Sequence, residues 1–354
     1  MAEEHILVTG GTGFVGGHIL NSLIELHPEY KITVFDLPAS GTWVPPREDI
    51  AYVQGDIREI KDVTRAVREA RPTAVIHVAG IVPTGNDRYS QRKYLKEWVF
   101  KVNVEGTKNM LEAARNGGVR AFVFTASITM VTDDNGHDYP NFDETIVPTP
   151  SLIYGQSKVA AEALVLEANS LEMATCSIRP SVICGPGDYQ LVSTIQRCIA
   201  KFETPWIIGD GDGLYDFTYV TNVADAHVLA VHNLLTTKTA AGEAFFITNG
   251  QPIPFRAFCL QIWAHFGHTP PFEVHIPKPI AWVAAYCAEW VTYFNGTEAT
   301  LSRGSVKDYC QLAYANIDKA RRILGYEPRV SLDVGLKTSC DELRERLKAK
   351  MKGL

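Results

Sequence analysis

A tyrosine and a lysine stand four residues apart in the segment Tyr154-Gly155-Gln156-Ser157-Lys158. In a helix, residues at this spacing lie on one face, about one turn apart. A nearby ammonium group favours the phenolate, so a phenol with an ordinary pKa of about 10 can accept a proton near neutrality. The pair predicts an acid/base unit, although the same spacing also occurs on solvated helix faces that have no chemical role.

A glycine-rich loop opens the chain, with the sequence Thr9-Gly10-Gly11-Thr12-Gly13-Phe14-Val15-Gly16. An apolar run precedes it and an amphipathic stretch follows, which is the context that a dinucleotide-binding fingerprint requires. Gly10 permits the tight turn, Gly13 lets the backbone approach a pyrophosphate, and Gly16 lets helix and strand pack closely. The helix N-terminus presents N–H groups to the anion. A glycine turn without a ligand is the alternative.

Asp36 ends the next apolar run, residues 32–35. An acidic side chain at this point of the fingerprint binds both ribose hydroxyls and repels a 2′-phosphate, which predicts NAD rather than NADP as the cofactor. Aspartate is also a common turn residue at the end of a strand.

Composition limits the class of protein. The 354 residues, 46% of them hydrophobic and 21% charged, are typical of a soluble globular protein with a large core. The formal charge of −6 argues against a nucleic-acid partner. Seven cysteines lack CxxC spacing, which indicates reduced, buried thiols in a cytoplasmic protein rather than disulfides or a metal site. The first residues do not resemble a signal peptide.

Short apolar runs alternate with helical patterns along the first half of the chain. Further strands are predicted at 50–53, 74–78, 121–125, 174–178 and 244–248, and helices at 63–70, 104–116 and 153–169. This alternation predicts an α/β fold with a doubly wound parallel sheet. We expect a dinucleotide-binding domain at 1–185 with a returning segment at 215–250. A smaller substrate subdomain is expected at 186–214 and 251–330, and a helical tail at 331–354.

The whole chain resembles an extended short-chain dehydrogenase/reductase. The resemblance rests on motifs in the family's order: the TGxxGxxG loop, Gly55-Asp56-Ile57, His77-Val78-Ala79-Gly80, Val102-Asn103-Val104-Glu105-Gly106-Thr107, Ser127, Tyr154 with Lys158, and Arg179-Pro180. It implies bound NAD and a cofactor site formed by Gly10, Thr12, Gly13, Phe14, Val15, Gly16, Asp36, Asp56, Ile57, Ala79, Gly80, Asn103, Tyr154, Lys158, Pro180 and Val182. Asp56 and Ile57 would flank the adenine, and Asn103 would be structural or join a proton relay.

The same resemblance implies a catalytic triad of Ser127, Tyr154 and Lys158. Tyr154 would take the proton of a secondary alcohol, Ser127 would hold the alcohol oxygen, and Lys158 would favour the tyrosinate and bind the nicotinamide ribose. Ser127 follows a predicted central strand, where ligands bind in doubly wound sheets. A turn or cap residue is the alternative there, and Thr125 and Thr129 are alternative hydroxyl groups.

One departure bears on the substrate. Family members that act on nucleotide-diphosphate sugars usually carry an arginine just before an Asp-Phe pair, where it binds the diphosphate. Here Tyr215 precedes Asp216-Phe217, within an acidic segment. This stretch, together with residues 179–188, is similar to the 3β-hydroxysteroid dehydrogenase branch, which includes sterol-4α-carboxylate 3-dehydrogenases. The resemblance therefore implies a steroid or triterpenoid substrate, a homodimer, and oxidation with or without decarboxylation.

Two segments keep alternative interpretations. Residues 279–294 are apolar and aromatic but too short to span a bilayer. They are suited to resting on the endoplasmic reticulum membrane or roofing a sterol pocket, and equally to packing in the subdomain or at a dimer face. The loop 83–98 carries four cations that would bind a substrate carboxylate or form a solvated basic face: Arg88, Arg92, Lys93 and Lys96.

Three functions stay open on the sequence. The favoured one is an NAD-dependent 3β-hydroxysteroid or triterpenoid dehydrogenase. The second is an epimerase, dehydratase or reductase that acts on another small molecule, such as a nucleotide sugar. The third is a non-catalytic dinucleotide-sensing protein, a class that typically loses the Tyr/Lys pair.

Overall fold

The structure is a computed structural model that describes residues 4–38, 47, 50–131, 137–188, 190–295 and 301–352. Its strands are β1 (His5–Thr9), β2 (Lys31–Asp36), β3 (Ala51–Gln54), β4 (Ala74–His77), β5 (Ala121–Thr125), β6 (Tyr139–Phe142), β7 (Ala174–Pro180), β8 (Ile183–Cys184), β9 (Trp206–Ile208), β10 (Leu214–Tyr215), β11 (Thr218–Tyr219), β12 (Glu243–Ile247), β13 (Ile253–Pro254), β14 (Val274–Ile276) and β15 (Ala313–Ala315).

The α-helices surround these strands. They are α1 (Phe14–Leu26), α2 (Ile60–Ala70), α3 (Lys93–Phe100), α4 (Gly106–Asn116), α5 (Ile153–Glu167), α6 (Leu191–Ala200), α7 (Val220–Leu235), α8 (Phe255–His265), α9 (Lys278–Asn295), α10 (Arg303–Cys310), α11 (Asp318–Leu324) and α12 (Leu332–Lys352). A π-helical turn, Lys101–Glu105, joins α3 to α4, and a short 3₁₀ turn, Ile128–Met130, follows β5.

Seven parallel strands form the central sheet in the order β12-β7-β5-β4-β1-β2-β3. The strand order reverses at β1, which pairs with β2 on one side and β4 on the other. Ligands of doubly wound sheets bind outside the carboxyl ends of the strands at such a point. Strands β1, β4, β5 and β7 are buried along their whole length, because helices cover both faces of the sheet. The predicted fold class is confirmed.

Each face of the sheet has its own apolar core. Along β1, Ile6 and Val8 pack with α1 and α7 on one face, whereas Leu7 packs with α2 and α4 on the other. This division follows from the two-residue period of a strand. The two layers of helices fix the carboxyl ends of the strands, on which the site is built.

A second region is built from short strands and helices. One small sheet has the order β13-β10-β15-β6, and two pairs, β8 with β11 and β9 with β14, complete it. Helix α12 contributes Leu336 and Cys340 to a third core that also contains Phe217 and Phe258, so the predicted helical tail packs as part of this region. The predicted domain boundaries stay a prediction.

The cysteines and the helix at 279–294 can be compared with the sequence analysis. Most of the cysteines are buried free thiols, as expected, but Cys287 on α9 is exposed. Residues 279–294 form a helix, as their apolar pattern suggests. Among the described helices, none is both long and apolar enough to cross a membrane.

Candidate active site

A large cleft opens at the carboxyl ends of the central strands. Its volume is about 1630 Å³, and its walls come from both regions of the chain. One end contains the glycine loop and Asp36, the floor contains Ser127, Tyr154 and Lys158, and the far end is bounded by α6, α10 and β10. All of the predicted catalytic residues, and all of the predicted cofactor residues except Asn103, line this cleft: Gly10, Thr12, Gly13, Phe14, Val15, Gly16, Asp36, Asp56, Ile57, Ala79, Gly80, Ser127, Tyr154, Lys158, Pro180 and Val182.

The glycine loop has no room for side chains. Gly10 has a φ of +70°, and a Cβ atom there would lie 2.9 Å from the backbone of Ala79. A Cβ atom on Gly16 would lie 2.1 Å from the carbonyl oxygen of Gly10. Helix α1 begins directly after Gly13. Its first N–H groups therefore face a cradle of bare backbone, which fits the pyrophosphate of a dinucleotide.

Asp36 is anchored at the rim of this cradle. Its Oδ2 accepts hydrogen bonds from the backbone N–H of Thr12 at 3.0 Å and from the Thr12 hydroxyl at 2.5 Å. Its Oδ1 accepts from the N–H of Leu37 at 2.8 Å. The carboxylate is thus held at the end of β2 with one orientation, partly exposed to the cleft. That position suits recognition of ribose hydroxyls.

Asp56 forms an ion pair with Arg58 that the sequence analysis did not predict. Its carboxylate accepts two hydrogen bonds from Arg58 Nε, at 2.8 and 3.0 Å, and a third bond comes from Arg58 Nη2. This hydrogen bonding holds the pKa of Asp56 below its ordinary value. The Arg58 guanidinium lies 4.5 Å from the centroid of the Trp98 ring. Arg58 and Trp98 both line the cleft next to Ile57, so a planar cation and an indole flank the expected adenine position.

Asn103 lies in the π-helical turn and is fully engaged with protein atoms. Its Nδ2 donates to Ile81 O and to Ser157 Oγ, both at 3.0 Å, and its Oδ1 accepts from Ile81 N at 2.8 Å. These bonds tie the turn to the segment after β4 and to α5. A Cβ atom on Gly80 would lie 3.1 Å from Asn103 Oδ1 and 3.4 Å from Lys158 Nζ, which explains the glycine there.

Ser127 is oriented by its neighbour Thr129. The Ser127 oxygen accepts a hydrogen bond from the Thr129 hydroxyl at 2.9 Å and a longer one from the Thr129 N–H at 3.3 Å. Because a hydroxyl has one hydrogen to donate, this arrangement leaves the Ser127 hydrogen for the neighbouring Tyr154 phenol, with which Ser127 is bonded, or for a bound alcohol oxygen. The alternative hydroxyl groups have other hydrogen-bond partners, since Thr129 donates to Ser127. Thr125 Oγ1 is bonded to His227 Nε2 at 2.8 Å.

Tyr154 lies on the first turn of α5, beside Ser127. Burial raises the pKa of its phenol to about 12, and the hydrogen bond with Ser127 acts in the opposite direction. The Lys158 nitrogen lies 5.9 Å from the ring centroid of Tyr154. That Lys158 favours the tyrosinate stays a prediction.

Lys158 is buried beneath Tyr154. Its Nζ donates a hydrogen bond to the carbonyl oxygen of Thr125 at 2.8 Å and lies 4.9 Å from the centroid of the Phe124 ring. Burial lowers the pKa of Lys158 to about 8, and the negative charge of Glu162, one helical turn further on, acts to raise it. The lysine is thus mainly protonated at pH 7.

Glu162 belongs to a buried ion pair with Arg179. The two side chains are joined by hydrogen bonds of 2.8 and 2.5 Å, and Glu162 also accepts from Ser177 Oγ at 2.5 Å. This group connects α5 to β7, so it fixes the helix that carries Tyr154 and Lys158. His227, behind β5, is neutral because burial lowers its pKa to about 4.

The far end of the cleft is mainly aromatic. Phe255 lies 4.5 Å from Tyr309 and 6.0 Å from Tyr215, ring centroid to ring centroid, and Phe217 stacks on Phe258 at 3.6 Å. All but Phe258 line the cleft, together with Leu191 and Ile195. Tyr215, which stands in place of the family's arginine, is thus part of an apolar wall.

Two cations of the segment 83–98, Arg88 and Lys93, have carboxylate partners. Arg88 forms an ion pair of 2.9 Å with Asp308 of α10, and Tyr89 donates to the same carboxylate at 2.5 Å. Lys93 lies 3.7 Å from Glu97 on an exposed helix face. These contacts favour a solvated face, in which Arg88 also fastens the loop to α10 at the cleft wall.

Residues 7–278 match the model of the 3-beta hydroxysteroid dehydrogenase/isomerase family. The chain belongs to this family. A sterol-4-alpha-carboxylate 3-dehydrogenase, decarboxylating, of Schizosaccharomyces pombe is 38% identical over 95% of this chain and 96% of that protein. A protein of the same name from Saccharomyces cerevisiae is 36% identical over 94% and 96%. A dTDP-glucose 4,6-dehydratase of Bacillus anthracis, solved with NAD, shares the fold, with a TM-score of 0.72, 18% identity, and coverage of 98% of both chains.

Membership of the 3-beta hydroxysteroid dehydrogenase/isomerase family confirms the family predicted from the motifs, and with it the class of enzyme, an NAD-dependent dehydrogenase. Sequence reasoning missed Arg58, Trp98 and the orienting role of Thr129. It also missed Ser181, a buried cleft residue whose hydroxyl has no described hydrogen-bond partner in the protein. The sole local signal for these residues was adjacency to a motif, because their partners are brought close by the fold.

Proposed function

We propose that this enzyme oxidises the 3β-hydroxyl of a sterol-like substrate with NAD⁺, and that a 4-carboxyl group is lost after the oxidation. The observation that carries the proposal is the meeting of two surfaces in one cleft. A donor and acid/base group, Ser127 with Tyr154, and an aromatic group of Tyr215, Phe255 and Tyr309 line the same cleft. Relatives named for this reaction match the chain over nearly its whole length.

Ser127 and Tyr154 position the reacting oxygen. The Ser127 hydrogen, which otherwise bonds the Tyr154 phenol, is donated to the alcohol oxygen, while the phenol oxygen takes the proton that leaves the alcohol. Since burial raises the pKa of Tyr154, a positive charge is needed to ionise the phenol. Lys158 supplies part of that charge, and two of its three N–H bonds stay available beside the bond to Thr125 for a ribose and a water molecule. Bound NAD⁺ supplies the acceptor for the hydride that leaves C3.

The second step needs no further base. Oxidation at C3 gives a β-keto acid when C4 bears a carboxyl group. The C4–carboxylate bond then breaks, carbon dioxide leaves, and the bonding electrons form an enolate across C3 and C4. Ser127 and the protonated Tyr154 both donate to the enolate oxygen, where the negative charge develops, and C4 then gains a proton from solvent to give the ketone. The same floor of the cleft thus serves both steps.

Asp36 supports NAD as the form of the cofactor that is used. Its fixed carboxylate is suited to binding two ribose hydroxyls and would repel a 2′-phosphate. Tyrosine rather than arginine at position 215 speaks against a nucleotide-sugar substrate, and Arg88, whose charge acts on Tyr215, is paired with Asp308.

We also propose a homodimer and a cytoplasmic location with peripheral contact to the endoplasmic reticulum membrane. The outward face of α5 supports the dimer, because Ala160, Ala163 and Leu166 leave apolar surface at least partly exposed there. The proposed domain arrangement follows the sequence prediction, with the substrate subdomain at 186–214 and 251–330. Light scattering of the purified protein tests the homodimer, and limited proteolysis tests the proposed domain boundaries.

The experiment that tests the function uses purified protein, NAD⁺ and a panel of 3β-hydroxy steroids with and without a 4-carboxyl group. We expect NADH formation with 3β-alcohols and none with their 3α-epimers, which are the matched controls. UDP-glucose should neither bind in calorimetry nor be turned over. Micromolar binding of UDP-sugars, with no turnover of any 3β-hydroxy steroid or triterpenoid, would overturn the proposal.

A further inference from the structure

One carboxylate in the cleft wall, that of Glu203, is only weakly bonded to protein. Glu203 lies in the turn after α6 and lines the cleft. Its side chain forms no ion pair with the described residues; the Cys198 thiol, a weak donor, bonds it, and Oε2 is enclosed by protein without a hydrogen-bond partner. An enclosed polar atom of this kind costs free energy, because it loses the hydrogen bonds of water and gains none in return. Glu203 can therefore accept a hydrogen bond that the described protein atoms do not supply.

Arg256 lies beside this turn but is bonded to other groups. Its Nη1 donates to the carbonyl oxygen of Thr204 at 2.8 Å, and its Nη2 forms an ion pair of 3.0 Å with Glu273. Phe202, which precedes Glu203, has a φ of +56°. A phenylalanine in this left-handed conformation is uncommon, and backbone strain of this kind clusters at functional sites. The turn thus places Glu203 in the cleft wall without giving it Arg256 as a partner.

A phenol hydroxyl lies in the same part of the cleft wall. Tyr309, on α10, lines the cleft and packs its ring edge-on against Phe255, with the ring centroids 4.5 Å apart. Its hydroxyl has no hydrogen-bond partner among the residues that the structure describes, although buried tyrosines usually have one. Burial raises the pKa of Tyr309 well above its ordinary value, and the negative charge of Glu203 acts in the same direction. Tyr309 is therefore a neutral donor near a carboxylate to which it is not bonded.

We propose that Tyr309 and Glu203 bind a second hydroxyl group of the substrate, separate from the 3β-hydroxyl that is oxidised. A hydroxyl suits this pair because it accepts a hydrogen bond from the phenol and donates its own hydrogen to the carboxylate. A ketone has no hydrogen to donate to Glu203. Because the χ3 torsion of glutamate is soft, a small rotation turns Oε2 toward a ligand in the cleft.

The two hydroxyls are held by different parts of the chain. Ser127 and Tyr154 lie at the end of β5 and the start of α5, whereas Tyr309 lies on α10 of the second region. A ligand that reaches both sites therefore carries its hydroxyls on different parts of its skeleton. This assignment rests on the proposed function, and it narrows the substrate to a polycyclic 3β-alcohol with a second hydroxyl where the skeleton contacts α10 and the turn after α6.

The test compares kcat/KM of the enzyme on pairs of 3β-alcohols that differ by one hydroxyl. The first pair is androstan-3β-ol and androstane-3β,17β-diol, and the second is cholestan-3β-ol without and with a hydroxyl at the end of its side chain. In at least one pair we expect kcat/KM of the wild type to be about ten-fold or more higher for the diol, because the other alcohol leaves Tyr309 and Glu203 unpaired.

Two variants assign this preference to the pair. In Tyr309→Phe and in Glu203→Gln the ratio of kcat/KM values should fall below about three, since the first change removes a donor and the second removes the charge of the acceptor. Tyr94→Phe is the matched control, because it removes the hydroxyl of an exposed tyrosine of α3 that does not line the cleft. The ratio should be unchanged in this control.

Calorimetry on NADH-loaded enzyme measures binding of the same steroids without turnover and separates this proposal from the proposed function. Wild-type enzyme that oxidises both alcohols of each pair equally well overturns the second-hydroxyl site alone. Wild-type enzyme that binds a diol more tightly than its partner, and loses this difference in Tyr309→Phe, but oxidises no 3β-alcohol overturns the proposed function alone. A Tyr309→Phe enzyme that binds NAD and keeps the full preference for the diol also overturns the site. If Tyr309→Phe no longer binds NAD, an unchanged preference in Glu203→Gln overturns it equally.

Discussion

Replacing Lys158 with Met is expected to stabilise the folded protein while it abolishes turnover. Burial lowers the pKa of this lysine to about 8 from an ordinary value of 10.5. At pH 7 the Lys158 ammonium is charged in both states, but it is buried in the folded state and solvated in the unfolded state. This difference lowers the free energy of unfolding by about 3 kcal/mol. Methionine fills the same volume without a charge. Losing the hydrogen bond to Thr125 costs about 1 kcal/mol, so the free energy of unfolding of Lys158→Met should exceed that of the wild type by about 2 kcal/mol.

The gain should depend on pH in a defined direction. A lysine whose pKa is lowered by folding destabilises the protein fully below its folded pKa, and the penalty disappears as the pH rises from about 8 toward 10.5. At pH 9.5 the cost of the charge falls to about 1.4 kcal/mol, so the net gain from Lys158→Met approaches zero. Taking the difference between variant and wild type removes the effect of the buried cysteines, which ionise in the same range only after unfolding.

Urea unfolding followed by tryptophan fluorescence, on cofactor-free protein at pH 7 and pH 9.5, measures both quantities. Lys93→Met is the control, because Lys93 is 91% exposed and its ion pair with Glu97 contributes less than about 0.5 kcal/mol. A Lys158→Met protein that is less stable than the wild type at pH 7 would refute the reasoning. So would a gain of equal size at both pH values, since it would not come from the charge.

Three further substitutions test the site. Tyr154→Phe should lower kcat about a thousand-fold with the Kd for NAD within a factor of two, and near-normal kcat would end the proposed mechanism. Thr129→Val should lower kcat about ten-fold without changing NAD affinity in calorimetry, because Ser127 loses its orienting donor, whereas Thr145→Val on the surface should have no effect. Asp36→Ala should weaken NAD binding and reduce the preference of the enzyme for NAD over NADP. A wild-type enzyme with a higher kcat/KM for NADP than for NAD would contradict the role of Asp36.

The sequence predicted the central sheet and the cofactor cradle because both depend on local patterns. Buried parallel strands are continuous apolar runs, and α1 begins and ends where its periodicity indicates. The loop geometry at Gly10 and Gly16 follows from contacts within a strand–turn–helix unit. Family motifs added Ser127 and Asn103, which spacing alone would not have selected.

The parts that the sequence did not predict depend on long-range contacts. Strands β10 and β13 are two residues long, too short for a period to appear, and β15 pairs with β6 from a distant part of the chain. The stacking of Arg58 on Trp98 is equally non-local. The raised pKa of Tyr154 could not be inferred from the i, i+4 lysine, because it follows from burial, which spacing does not reveal.

The most direct test of the central claim follows a single deuterium. The substrate is a 3β-hydroxy sterol with a 4α-carboxyl group and deuterium in place of the hydrogen on C3, incubated with the enzyme and NAD⁺. The account predicts a ketone that has lost both the deuterium and the mass of carbon dioxide, with one deuterium in the reduced nicotinamide for each ketone formed. Recovery of the substrate with its deuterium and carboxyl group intact, under conditions in which the enzyme turns over another alcohol or a nucleotide sugar, would contradict it.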